Sequence, residues 1–149
     1  MKVMILIKAD EESEAGVMPD TAYLEKMGGF NEELVEAGVM LDGNGLHPSS
    51  TGVRVDFAED GSSFVTDGPF AETKELLAGY WIWQVESMDD AVEWARRIPV
   101  PDGVEASVEL RQVGEADDFG DELTDELREK GAALAEKLPP SSNIGEYGD

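Results

Sequence analysis

Two apolar faces alternate along the segment Gly79-Tyr80-Trp81-Ile82-Trp83-Gln84-Val85. In an extended chain Tyr80 and Ile82 lie on one side, and Trp81, Trp83 and Val85 lie on the other. Val3 to Ile7 is a second strand-length segment, and it is apolar throughout. Because a strand that is apolar on both sides must be covered on both sides, the two segments predict central strands of a buried sheet.

Two amphipathic helices flank these strands in the sequence. Asp20 is the predicted N-cap of the first helix, which ends at Gly38, and Ser87 is the predicted N-cap of the second. The first helix has a core-facing stripe at Tyr23, Met27, Phe30, Leu34 and Ala37, and the second has one at Met88, Ala91, Val92, Ala95 and Ile98. The pair Gly28-Gly29 inside the first helix indicates a kink, a close contact or a tolerated weakness.

Period-two segments complete the predicted sheet. Val53, Val55 and Phe57 alternate with polar residues, and Phe64 to Thr66 return after a turn, which predicts a half-buried hairpin. Val104 to Leu110 predicts a last strand with one wet face. The element order indicates an α+β protein with a ferredoxin-like βαββαβ plan, an antiparallel sheet and both helices on one face. Since two helices cover only one face, we expect a homodimer whose second copy covers the other.

The chain divides at residue 115 into a folded domain, 1–114, and an acidic C-terminal extension, 115–149. The extension holds 11 acidic and 3 basic residues. Thr124 is a plausible helix cap, and Leu127, Leu134 and Leu138 follow at roughly heptad spacing. We expect a surface helix there, followed by a flexible tail from Pro139.

Charge and composition exclude several classes of function. The 149 residues include 34 Asp and Glu against 11 Lys and Arg, a formal net charge of −23. Such a chain repels phosphate backbones and anionic lipids, so we expect neither nucleic-acid nor membrane binding. There is no Cys, which excludes thiolate chemistry and Cys-ligated metals. The first apolar run has only five residues, too short for a signal sequence, and we expect a cytoplasmic protein.

The clearest chemical candidate is the turn Asp67-Gly68-Pro69. One interpretation is purely structural: Asp67 bonds its own backbone, Gly68 takes a positive φ and Pro69 presets the next turn. The other places the Asp67 carboxylate at the mouth of a pocket, as a base or polar anchor, with Gly68, Pro69, Phe70 and Lys74 as ligand-binding neighbours.

His47 is the second candidate, because it is the only side chain of the chain that ordinarily titrates near neutrality. Its loop carries two hydroxyl groups, Ser49 and Ser50, as further ligand contacts. The loop precedes one hairpin strand and Asp67 ends the other, so His47 and Asp67 are expected at the same open end of the hairpin. A structural His47 is the alternative. No metal-ligand spacing and no nucleotide-binding loop occurs, so neither a metal nor a cofactor is expected.

The segment 65–75, Val-Thr-Asp-Gly-Pro-Phe-Ala-Glu-Thr-Lys-Glu, resembles the signature of the DGPF branch of the YCII-related proteins. Further blocks agree in order, and they span about residues 1–119: 15–19, 45–50, 79–85, 91–95 and 109–113. The resemblance implies a dimeric α+β barrel and, for some members, a link to extracytoplasmic-function sigma factors. Distant relatives pair an Asp with a His of the first helix. That helix contains no His here, so the resemblance transfers Asp67 alone.

Two functions therefore stand side by side at this point. The first is a small dimeric enzyme or small-molecule binder without a cofactor, using Asp67 and His47. The second is a non-catalytic regulatory protein whose acidic face or tail contacts a basic protein partner. The residues leave open whether the protein is an enzyme, and they identify no substrate.

Overall fold

A computed structural model describes residues 1–140 of the chain, apart from the Thr73 side chain. It contains six strands and four helices, with short 3-10 turns at Ser49–Thr51, Thr73–Glu75 and Ala116–Glu122. The strands are β1 Lys2–Lys8, β2 Met40–Gly45, β3 Val53–Phe57, β4 Ser63–Asp67, β5 Leu77–Gln84 and β6 Val108–Gln112. The helices are α1 Glu11–Glu14, α2 Thr21–Glu36, α3 Met88–Ala95 and α4 Asp125–Ala135.

Four strands form one antiparallel sheet in the order β2-β5-β1-β6. This order and the connecting helices α2 and α3 give the ferredoxin-like plan, and β1 and β5 are the central strands, as predicted. Val3 pairs with Trp83 and Ile5 pairs with Trp81, so these four side chains share one face. That face packs on the two helices and forms the core.

Aromatic side chains fill the space between the sheet and the helices. Phe30 of α2 meets Trp81 edge to face, with ring centroids 6.1 Å apart, and meets Trp83 similarly at 6.4 Å. The Trp81 indole N–H donates to the Asn31 side-chain oxygen at 3.0 Å. The fully buried Trp83 N–H has no partner among the described residues. The interior between sheet and helices is therefore packed rather than hollow.

Among residues 1–140, none of the buried core residues lies on the opposite face of the sheet. Its centre is apolar and only half-buried, and it consists of Met4, Leu6, Tyr80 and Ile82. Charged groups border this open face: Lys8 pairs with Glu109 at 3.2 Å, and Arg111 reaches Glu109 at 3.4 Å. The hydrogen bond from Lys8 holds the pKa of Glu109 below its ordinary value, and Arg111 adds to the effect.

The sheet corrects one part of the sequence prediction. Its second strand is β2, which the sequence pattern missed, whereas the hairpin β3-β4 forms a separate two-stranded sheet inserted between β2 and β5. The pairing of β3 with β4 is confirmed. The predicted half-burial is wrong, because all ten residues of the hairpin strands are exposed.

The structure also tests three local predictions, and it corrects the first of them. The last strand begins at Val108 rather than Val104. The helix α2 is uninterrupted, and a Cβ on Gly28 or Gly29 would meet nothing within 4 Å, so the tolerated weakness is the correct interpretation of the glycine pair. The predicted N-caps Asp20 and Ser87 both accept a hydrogen bond from the backbone N–H three residues on.

The C-terminal helix α4 is capped by Thr124, as predicted, and has no buried residue. Leu127, Leu134 and Leu138 are 48%, 64% and 71% exposed, so its leucine stripe is uncovered in the single chain. Arg128 ties the helix to the preceding turn through Asp117 at 2.9 Å. The predicted tail lies outside the described residues from position 141 onward. Among residues 1–140 no helix has the length and apolarity to cross a membrane.

Candidate functional site

The turn after β4 is held against the 3-10 turn Ser49–Thr51. The Gly68 N–H donates to the Gly52 carbonyl at 2.8 Å. A Cβ added to Gly68 would lie 1.7 Å from the Ser49 carbonyl oxygen, so no residue larger than glycine fits without movement. Gly68 does not have a positive φ, which corrects the predicted reason for this glycine. Close approach of two backbones, rather than backbone conformation, requires it.

Ser49 connects this turn to a third segment. Its hydroxyl donates to Glu14 Oε2 at 2.5 Å, and its backbone N–H donates to Glu14 Oε1 at 3.1 Å. The same hydroxyl oxygen accepts a hydrogen bond from the Phe70 N–H at 3.1 Å. A carboxylate, a hydroxyl and a backbone amide thus form one partly buried chain of hydrogen bonds, in which the charged acceptor gives the stronger link.

Glu14 was not singled out in the sequence. It ends the short helix α1, whose start is fixed by a reciprocal capping box between Asp10 and Ser13. The spacing of Asp10 and Ser13 is a detectable signal for a helix start. The contact from Glu14 to Ser49 spans 35 residues, and no local pattern indicates it.

The Phe70 ring is covered by a cation. The Arg54 guanidinium of β3 lies 3.9 Å above the ring centroid, and its Nη1 is 3.5 Å from Glu72. Both charged side chains are about half exposed, so the ion pair itself contributes little to stability. Its structural effect is to tie β3 to the segment that follows the turn. Phe70 is half-buried, and one of its faces is occupied by Arg54.

The two predicted catalytic side chains are both exposed. Asp67 ends β4 opposite Val53, and His47 lies in the loop between β2 and the Ser49–Thr51 turn. Within the described part of the chain, no hydrogen bond or ion pair joins the Asp67 carboxylate to the His47 imidazole. Of the predicted ligand-binding residues, Ser49, Gly68 and Phe70 are brought together, whereas Ser50, Pro69 and Lys74 are exposed around them.

A separate cleft of about 500 Å³ opens where α2 ends and α3 begins. Its lining includes the acidic side chains Glu86 and Asp90 together with the Trp94 indole, and it contains none of the residues predicted for the site. Across the described residues, no three His, Asp or Glu side chains are grouped to hold a metal ion.

Comparison with known proteins gives two findings. A family model described as the YCII-related domain matches residues 1–115. An uncharacterized protein of Rhizobium meliloti (strain 1021) is 30% identical over 92 residues, which cover 62% of this chain and 73% of that protein. The matched family segment contains the sheet, α2, α3 and the turn at Asp67, and it ends before α4.

Proposed function

This chain belongs to the YCII-related domain family, and on that premise we propose that it is a cofactor-free homodimer of the DGPF branch that binds a small molecule at the Asp67–Phe70 turn. The cytoplasmic location expected from the sequence is part of the same proposal. The observation that carries it is the construction of the turn, which is hydrogen-bonded to the segment 49–52 and through Ser49 to Glu14, while the Asp67 carboxylate has no partner among the described residues.

The support for a binding site lies in the contrast between Gly68 and Asp67. The backbone at Gly68 and Phe70 is fixed by hydrogen bonds to Gly52 and Ser49. The Asp67 side chain, one residue earlier, is exposed and has no hydrogen-bond partner among the described side chains. A rigid support under an unpaired charged group is the arrangement that gives a ligand a fixed anchor at low entropic cost.

The chemistry of the anchor indicates the class of ligand. A carboxylate accepts hydrogen bonds and pairs with cations, so a ligand bearing an amine or hydroxyl group suits it. Asp67 shares its hairpin face with Val53 and Val65, so an apolar portion of the ligand has a surface beside the carboxylate. His47 is the candidate for acid–base chemistry on a ligand held there. Binding is the function better supported, because among the described residues neither a hydrogen bond nor an ion pair links His47 to Asp67.

Dimerisation is supported by the charge distribution. The open face has an apolar centre at Met4, Leu6, Tyr80 and Ile82. Around that centre it carries the basic side chains of Lys2, Lys8 and Arg111 and the acidic side chains of Asp42 and Glu109. On a protein of net charge −23, most surfaces repel a second copy. On this face the basic and acidic groups nearly balance around an apolar centre, so two copies approach here with less repulsion than across the acidic remainder of the surface.

The test compares two Asp→Asn variants of the same hairpin. In ¹⁵N-labelled protein titrated with a panel of small amines and amino alcohols, a bound compound should shift the Gly68 and Phe70 amides. Asp67→Asn should abolish the shifts with the melting temperature unchanged. Asp56→Asn, also exposed but on the other hairpin face, should retain them. Shifts that survive Asp67→Asn would move the site elsewhere.

A second candidate function rests on α4. Its exposed leucine stripe lies beyond the matched family segment, in a stretch, residues 115–140, with 9 acidic and 3 basic residues. An uncovered apolar stripe with acidic flanks suits a partner protein with a basic rim, as in the regulatory function and the sigma-factor link that the resemblance implies. Replacing Leu127 and Leu134 by Ser should abolish binding of a purified sigma factor of that class without altering the melting temperature. Binding that persists would exclude α4 as the contact.

A further inference from the structure

We propose that the β3-β4 hairpin is an arm that packs on a second copy of the chain, and that this contact completes the ligand site at Asp67. The inference rests on the proposed function and adds to it a statement of which surface the partner must supply. According to this proposal, the second copy forms one side of the ligand site, so the complete site exists only in the dimer.

The arm has one apolar face. In the antiparallel register Val53 lies opposite Asp67, Val55 opposite Val65 and Phe57 opposite Ser63, so these six side chains share one side of the hairpin. Val53, Val55, Phe57 and Val65 are 60%, 49%, 81% and 64% exposed. We call these four residues and Asp67 the free face of the arm. Its single charged group is Asp67, at the end nearest the turn.

The opposite side of the arm is the one that contacts the chain's own body. Arg54 lies on that side, and its guanidinium covers the Phe70 ring and reaches Glu72. Because neighbouring residues of a strand point to opposite sides, the free face is directed away from Arg54 and from the Phe70 ring that Arg54 covers. The contacts that Arg54 makes on the other side of the arm therefore leave the free face uncovered.

An uncovered two-stranded hairpin is marginal in water, and two-stranded sheets ordinarily need a third strand or a packed layer. Within residues 1–140 the arm has neither, since β3 and β4 pair there only with each other. Its free face amounts to an apolar patch on the order of 400 Å², a size that marks contact surfaces. Another molecule is therefore expected to cover it.

A second copy is the occupant that the topology and the area of the free face favour. In the sequence the arm is inserted between β2 and β5, which are adjacent strands of the four-stranded sheet. It therefore emerges from the same sheet whose open face is proposed to pack on a second copy. A two-fold dimer uses each patch twice, and one such contact covers both surfaces. The free face supplies about half of the roughly 800 Å² that each partner buries in a standard interface, and the open face supplies the remainder.

Completion of the site follows from the position of Asp67. Its carboxylate belongs to the free face, at the margin of the apolar patch. A second copy seated on Val53 and Val65 would therefore stand beside this carboxylate and shield it from water. A shielded carboxylate binds a cationic or hydrogen-bonding ligand more strongly than an exposed one, because the surrounding dielectric constant is lower.

The first test compares two adjacent residues of β4. Val65 and Phe64 are similarly exposed, at 64% and 58%, but lie on opposite sides of the arm. By sedimentation velocity, Val65→Lys should weaken the dimer at least tenfold, as should Val55→Lys, whereas Phe64→Lys should stay within about threefold of the parent protein. Circular dichroism checks that each variant is folded. Equal effects of Val65→Lys and Phe64→Lys would overturn the inference.

The proposed function fails in a different way. Ile82→Lys, in the centre of the open face, tests the dimer itself. A dimer that is broken by Ile82→Lys but untouched by Val65→Lys would overturn the arm and leave the sheet-to-sheet dimer standing. A parent protein that is monomeric at all concentrations would refute both.

The second test reports on Asp67 directly and uses the absence of cysteine from the chain. A fluorophore attached at Asp67→Cys should become at least twofold less accessible to acrylamide as the protein concentration passes through the dimerisation range. The control is Asp56→Cys on the other side of the arm, which should show no concentration dependence. Accessibility at position 67 that does not change on dimerisation would overturn the claim that the second copy completes the site.

Discussion

Replacing Gly68 by Ala tests the packing on which the site depends. The added Cβ would lie 1.7 Å from the Ser49 carbonyl oxygen, where ordinary contact begins near 3.4 Å, so the two backbones must separate by about 1.7 Å. Overpacking of this kind costs about 1–3 kcal/mol. The movement also strains the hydrogen bond from Gly68 to Gly52, which contributes about 0.5–1.5 kcal/mol. We expect a loss of about 2–4 kcal/mol in the free energy of unfolding.

For a chain of 149 residues this loss corresponds to a fall of about 5–15 °C in the melting temperature, measured by circular dichroism with a urea titration alongside. The matched control is Gly28→Ala, since the new methyl group would meet nothing within 4 Å. It should stabilise the protein by up to about 1 kcal/mol because alanine is the better helix former. A Gly68→Ala protein as stable as its parent would refute the argument that close approach requires this glycine.

Three further predictions concern stability. Ser49→Ala removes the hydrogen bond that the hydroxyl donates to Glu14 and the one that it accepts from Phe70, whereas the backbone N–H still donates to Glu14. The change should cost about 1–3 kcal/mol by urea unfolding, whereas Ser50→Ala should lie within about 0.5 kcal/mol of the parent. Glu109→Gln should lower the free energy of unfolding at pH 7, because Lys8 depresses the pKa of Glu109 in the folded state. The difference in stability between variant and parent should shrink as the pH falls from the ordinary carboxyl pKa of about 4.3 through the folded pKa. A difference that stays constant in melts at several pH values would contradict this. Added KCl should raise the melting temperature by screening the charge of −23, and identical melts at low and molar KCl would exclude self-repulsion.

The elements predicted correctly are those whose side-chain spacing directly records burial. The helices α2 and α3 place apolar residues at the helical period, and β1 and β5 are strand-length segments that are apolar on both faces. The sequence pattern did not predict β2, because a contact with a neighbouring strand determines one of its residues. A Cβ on Gly43 would lie 2.5 Å from the Trp81 ring, so this edge strand carries glycine where strand propensity alone would favour a branched residue. The alternating pattern of β3 and β4 indicated that one face of the hairpin is apolar and must be covered. It did not indicate whether the same chain covers that face.

For the site too, the features that depend on neighbouring residues were predicted, whereas those that depend on residues distant in the sequence were not. The motif at Asp67-Gly68-Pro69 identified the turn, because turn chemistry is local. The reason for Gly68 and the contribution of Glu14 depend on Ser49, which lies 35 residues from Glu14 and 21 from Phe70 along the chain. Periodicity and capping rules operate within a few residues and do not extend to such contacts.

The hydrogen bonds of Ser49 also have a consequence for the order of folding. Because they join segments so far apart in the sequence, the chain must close large loops before any of them can form, and loop closure is slow relative to local turn formation. The turn at Gly68 is therefore expected to reach its final shape only after β1, β2 and β5 have paired. A peptide covering residues 63–75 alone would lack Ser49 and Glu14, so the geometry of the turn belongs to the folded domain and cannot be transplanted with the motif.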